Sequence, residues 1–203
     1  MRTQDELTKL TRDVLGEDYV ELSIGKYTLT EDIEEKTAWI VCQLHQVGHG
    51  PLSAVEGKGV GFIDALFSGL KQALVSHYPS IGHIHFIDFV VGGDFRAAKK
   101  SQGAHTDAPG HVRLTIENAA GREFLFETTS PSISASSVCV VVRAVEHFVN
   151  AELAVLRVYD WIEDARKRSR PDLADTYIQR LADLVQNASY SESIERRKSA
   201  VTP

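Results

Sequence analysis

Helical and strand periods follow one another in a fixed order along this chain, and the order occurs twice. Leu7, Leu10, Val14 and Leu15 recur at helical spacing behind Thr3 and Glu6, which stand as in a capping box. Residues 3–15 are therefore expected to form a short helix ended by Gly16. Over residues 19–29 apolar and polar positions roughly alternate, as in a half-buried strand. Residues 31–35 read as an acidic, solvated turn, and residues 37–47 as a second strand rich in strand formers. Gly48-His49-Gly50-Pro51 turns the chain into a short third strand through Val55. Gly57, Gly59 and Gly61 are expected to break that strand and feed a helix over 62–77. Ile63, Leu66, Phe67, Leu70, Ala73 and Leu74 supply its apolar face.

Pro79 stops that helix, and the order begins again. Residues 84–91 are apolar on both alternating faces, which predicts a central strand. Gly92-Gly93 ends it. Residues 94–106 are polar, with Lys99-Lys100-Ser101-Gln102-Gly103 at their centre, and are expected to form a mobile loop. Val112, Leu114 and Ile116 mark a half-buried strand, residues 118–121 a hairpin turn, and Phe124 and Phe126 the returning strand. Ser130-Pro131-Ser132 reads as a helix start. Val138-Cys139-Val140-Val141-Val142 favours a strand by propensity. The longer repeat of Ala135, Val138, Val141, Val142, Val145, Phe148 and Val149 overrules it in favour of a helix. The predicted fold class is α+β: two pseudo-symmetric β-β-β-α units, halves 17–78 and 79–150, whose sheets pack against their helices around a local two-fold. The repeat is one of pattern, without residue-by-residue identity. A helix precedes it over 1–16. A helical extension follows over 151–186, with Val155, Val158, Tyr159 and Ile162 on one face and Pro171 restarting a helix. Residues 187–203 are expected to be a disordered tail.

Composition narrows the function classes. The 203 residues are 43% apolar and 25% charged, as in a globular protein, with no run long enough for a membrane span. A polar start, Met1-Arg2-Thr3-Gln4-Asp5-Glu6, is unlike a signal peptide, so a cytoplasmic location is expected. Residues 1–156 hold 13 Lys and Arg against 20 Asp and Glu, which argues against a nucleic-acid surface. Residues 157–203 hold 9 against 8 and form a different compositional unit. Cys42 and Cys139 sit in apolar surroundings and read as free thiols.

Few constellations carry chemistry. His83-Ile84-His85 would put two imidazoles on one strand face, as a zinc chelate or as a structural pair; no third ligand accompanies them at metal spacing. His105-Thr106-Asp107 has no nucleophile beside it. The serines of 130–137 lack a Gly-x-Ser-x-Gly context and read as helix capping. Gly57-x-Gly59-x-Gly61 has neither the spacing nor the βαβ setting of a dinucleotide fingerprint. Ahead of a helix it forms either an anion site or a tight turn without a ligand. No catalytic residue, metal or cofactor is indicated.

Three segments carry a resemblance. Glu56-Gly57-Lys58-Gly59-Val60-Gly61-Phe62-Ile63-Asp64-Ala65 resembles E-G-x-G-x-G-P-(V/L)-D-A. His85-Phe86-Ile87-Asp88-Phe89 resembles an x-L-x-D-Y strand. Thr128-Thr129-Ser130-Pro131-Ser132-Ile133-Ser134-Ala135-Ser136 resembles a G-x-x-x-S-I-x-x-A-S helix entry. All three belong to the C-terminal allosteric, dimerising domain of 2-isopropylmalate synthase and citramalate synthase, and the resemblance covers about residues 17–150. It implies the same doubled fold and a branched-chain amino acid, leucine or isoleucine, bound at a homodimer interface. By position, Val60, Ile63, Asp64, Phe89, Thr129 and Pro131 would line the site. Three departures stand out: Val60 for a polar residue, Phe62 for proline and Phe89 for tyrosine. The family's catalytic barrel needs about 200–250 residues and has no room here. The resemblance therefore implies a chain that is not an enzyme on its own. It would be a stand-alone regulator of a barrel-only synthase chain, a non-catalytic subunit or fragment of such an acyltransferase, or a dimerisation module with a decayed pocket.

Overall fold

The computed structural model describes residues 3–93 and 110–201. The first helix, α1 (Gln4–Leu15), starts at Thr3. The Thr3 hydroxyl accepts from the Glu6 N–H while the Glu6 carboxylate accepts from the Thr3 N–H, closing the capping box. Strands β1 (Leu22–Asp32), β2 (Thr37–Gln46) and β3 (Gly50–Gly59) then form an antiparallel sheet in the order 1-2-3, followed by α2 (Phe62–Leu74). After a 3₁₀ turn at Pro79–His83 come β4 (His85–Gly93), β5 (Gly110–Glu117) and β6 (Glu123–Ser130), a second sheet in the order 4-5-6. The 35-residue α3 (Ile133–Lys167) is capped by Ser132, whose side chain accepts from the Ala135 N–H. Helices α4 (Pro171–Val185) and α5 (Glu192–Val201) complete the described chain. The fold is α+β, and its two halves repeat the β-β-β-α order inferred from periodicity.

Alternation places the core. Ile40 and Leu44 on β2 and Val55 on β3 face inward, as do Leu114 and Ile116 on β5 and Phe124 on β6. Leu66 and Leu70 of α2 and Val141, Val145 and Phe148 of α3 meet them, and all belong to one continuous cluster. The halves therefore share a core. Helix α3 lies on β5 and β6 of its own sheet, and it also touches α2 and the edge strand β1 of the other. At about 1.5 Å per residue α3 is some 52 Å long, more than a three-stranded sheet can cover. Its second half, including Ala154, Val155, Val158 and Ile162, forms a second cluster with Val14 and Leu15 of α1 and Leu184 of α4.

The structure corrects the sequence reading at four places. The glycine stretch does not break a strand: Gly57 and Gly59 lie within β3. They are glycines because α2 crosses directly over them. A Cβ on Gly57 would lie 1.9 Å from the Ala65 carbonyl oxygen, and one on Gly59 2.5 Å from the Ala65 nitrogen. Secondly, β4 is not central but an edge strand. Phe86, Ile87, Val90 and Val91 remain 38–47% exposed, because apolar residues on both faces also arise where a strand borders an uncovered surface. Thirdly, His83 and His85 do not share a strand face. His83 ends the 3₁₀ turn with its ring edge-on to Tyr190 at 4.8 Å, and His85 is exposed on β4.

Fourthly, the expected disordered tail is ordered through α5. Asn187, Ala188, Ser189 and Ser191 are buried by partners far away in sequence. The Ala188 carbonyl accepts from Asn118 Nδ2 at 2.8 Å, and Ser189 Oγ donates to the His83 carbonyl at 3.0 Å. Ser191 Oγ donates to Glu152 Oε1 at 2.6 Å, while Glu152 Oε2 accepts from the Ser80 N–H. Such hydrogen bonds leave no periodic trace in a Ser- and Asn-rich segment. The polar stretch at 94–106, which includes His105, and Asp107 just after it lie outside the described residues.

Candidate functional site

The first helix entry is built where the end of β3 lies directly against α2. Because Gly57 and Gly59 carry no side chain, β3 runs flush against α2, and the chain enters the helix through Gly61, where a Cβ would meet nothing within 4 Å. Phe62 then stacks its ring on Tyr27 of β1, centroid to centroid 5.4 Å. Asp64 stands in the first turn, and its Oδ2 accepts from the Val60 N–H at 3.0 Å. A carboxylate in the first turn lies at the positive end of the helix dipole, a stabilising placement.

The six residues indicated by resemblance occupy two helix entries and one strand. Val60 is 79% exposed and lines a cavity of about 390 Å³ with Asp32, Ile33, Lys36 and Thr37. Asp64 lines a different cavity, about 500 Å³, between α2 and β4. Ile63 and Phe89 are half-buried against the shared core. Phe89 sits opposite Leu114 and 6.3 Å from the Phe86 ring. Thr129 is exposed at the end of β6, opposite His111, and Pro131 is exposed just ahead of the Ser132 cap. Neither the Val60 cavity nor the Asp64 cavity includes Ile63, Phe89, Thr129 or Pro131. A single chain does not gather the six into either.

The Asp64 cavity contains groups that sequence reasoning did not single out. Lys71 lies two turns along the same face of α2, donates to the Ile84 carbonyl at 2.9 Å, and passes over the Phe67 ring at 5.6 Å. Its partial burial pushes the ammonium pKa down. Phe67 and Phe86 meet edge to face at 5.9 Å and, with Ile84, form apolar wall. The seven-residue spacing of Asp64 and Lys71 was the available signal. That spacing alone marks no site, because only Phe86 of β4 meeting Phe67 of α2 makes that face a wall.

Among the described residues no group of three or more His, Cys, Asp or Glu side chains is arranged to hold a metal ion, and no helix is long and apolar enough to cross a membrane. Cys42 is buried and Cys139 half-buried, and both are free. No protein-family model matches the chain, and a search of the curated proteins finds no match.

Proposed function

We propose that this chain is a non-catalytic regulatory domain that binds a branched-chain amino acid, leucine or isoleucine, as a homodimer and modulates a synthase of branched-chain amino acid biosynthesis. The observation that carries this reading is the α2–β4 cavity. It sets a carboxylate, Asp64, and an ammonium, Lys71, on one face, with Phe67, Phe86 and Ile84 as apolar wall. An apolar amino acid presents the complementary set: an ammonium, a carboxylate and a hydrocarbon side chain. In a single chain the cavity is a shallow, open depression of about 500 Å³, which needs a cover before it can bury a ligand as small-molecule sites do. The exposed apolar edge of β4 borders it, which suits closure by a second copy.

Isothermal calorimetry of the full chain with leucine, isoleucine and valine tests the reading, with sedimentation analysis in the same solutions. Heat of binding for leucine or isoleucine, lost in Lys71→Met, is expected. No heat and no thermal shift at millimolar ligand would overturn it. A second reading, a dimerisation module without a ligand, is favoured by the fact that packing alone accounts for Gly57 and Gly59. It requires a dimer that is indifferent to all three amino acids.

A further inference from the structure

A third cavity, about 470 Å³, lies between β1 and the first half of α3. It exists because β1 is irregular. The register of β1 on β2 breaks between Ile24 and Tyr27, so Gly25 and Lys26 stand outside the ladder. Ile24, Gly25 and Tyr27 all line the cavity, and a Cβ on Gly25 would meet nothing within 4 Å. Bulges that lift an edge strand in this way recur beside binding sites.

The chemistry of the walls is divided. Leu22, Ile24, Val138 and Val142 supply hydrocarbon. At the inner end Glu146 is half-buried; its Oε2 accepts from the Leu22 N–H at 2.9 Å and its Oε1 from the Tyr19 hydroxyl at 3.2 Å. An ionised carboxylate offers about four acceptor positions, and these two bonds use two. Of the other charged groups, Arg12 is paired with Glu21 at 3.7 Å and stacked over the Tyr19 ring. Arg143 is exposed and makes a long 3.4 Å bond to the Glu127 carbonyl. The groove thus offers a ligand the Glu146 carboxylate inside, with the Arg12–Glu21 pair beside it, and the exposed Arg143 guanidinium.

We propose that this groove binds an aliphatic ligand carrying a protonated amine, with the ammonium on Glu146 and the hydrocarbon along Val138 and Val142. A cation at Glu146 offsets the desolvation that its half-buried carboxylate bears, which a carboxylate ligand cannot do. Alkylamines and apolar α-amino acids share this chemistry; the carboxylate of the latter would meet Arg143. The inference does not rest on the α2–β4 reading, since no residue is common to the two cavities.

Cys139 also lines the groove and reports on its occupancy, whereas Cys42 is in the core. The full chain is treated with N-ethylmaleimide, and modification of Cys139 is followed by mass spectrometry with n-hexylamine, leucine or hexanoate present. Hexylamine at ten times its dissociation constant is expected to slow modification about tenfold. Stronger protection by leucine than by hexylamine would assign the amino-acid source, and the reverse order the amine. Glu146→Gln, which still accepts from the Leu22 N–H, and Ala135→Trp, an exposed position filling the groove, should each abolish protection; Asp64→Ala should not. Equal protection by hexanoate, protection that survives both groove variants, or no protection by either amine would overturn the proposal. If leucine gives calorimetric heat but neither leucine nor hexylamine protects Cys139, this proposal fails while the regulatory reading stands.

Discussion

His147 gives the fold a defined dependence on pH. Its ring is buried on α3 among Phe124, Phe126 and Phe148, with centroids 5.1–5.4 Å away. Its Nε2 has no hydrogen-bond partner. Burial is the main cause of a pKa pushed from 6.5 down to about 4; the Arg122 charge adds to the fall, and the nearby Asn187 opposes it. The folded chain thus holds a neutral imidazole, while the unfolded chain gains a proton below about 6.5. Below that value the unfolded state binds more protons, so stability falls with pH, and the loss is complete once the pH passes the folded value. The gap from 6.5 to about 4, at 1.36 kcal/mol per tenfold change, makes the full effect about 3 kcal/mol, of which about 2.5 is lost by pH 4.5. The neighbouring Glu146, raised chiefly by burial, works in the opposite direction just above the ordinary carboxylate range, so the wild-type curve alone does not isolate His147. Urea unfolding followed by circular dichroism between pH 8 and pH 4.5, for the wild type and His147→Gln, does. The wild type should lose about 2.5 kcal/mol more than the variant over that interval. Parallel curves would refute the assignment of a buried, neutral imidazole.

Three further outcomes follow from packing. Gly57→Ala drives a methyl into the Ala65 carbonyl and should cost several kcal/mol, whereas Gly61→Ala, facing open space, should stay within about 1 kcal/mol; urea midpoints distinguish them. Asp64→Ala removes the acceptor of the Val60 N–H and a favourable first-turn charge, costing about 0.5–1 kcal/mol, and should weaken leucine binding by calorimetry. Truncation after Gln186 strips partners from Asn118, Glu152 and the 3₁₀ turn and uncovers Leu184; a melting temperature lowered by many degrees is expected, and an unchanged one would return residues 187–203 to the status of a dispensable tail.

Periodicity was enough to determine the doubled β-β-β-α order, because an apolar face repeats at 2 or 3.6 residues wherever an element covers a core. The long α3 was legible for the same reason, since its helical period persists through a valine run that favours a strand. The start of α1 was legible too, because a capping box is local and needs only Thr3 and Glu6. Other features depended on partners distant in the chain. Nothing in Glu56-Gly57-Lys58-Gly59 says whether the glycines turn or admit a neighbour; the crossing of α2 decides it. The apolar faces of β4 are compatible with a centre or an edge, and only strand order separates them. The segment 187–191 carries no pattern because it is held by single hydrogen bonds to Asn118, His83 and Glu152. The two proposed ligand cavities are likewise tertiary: one brings Asp64 and Lys71 of α2 together with Phe86 of β4, the other Glu146 of α3 with Ile24 of β1, and no local spacing encodes either.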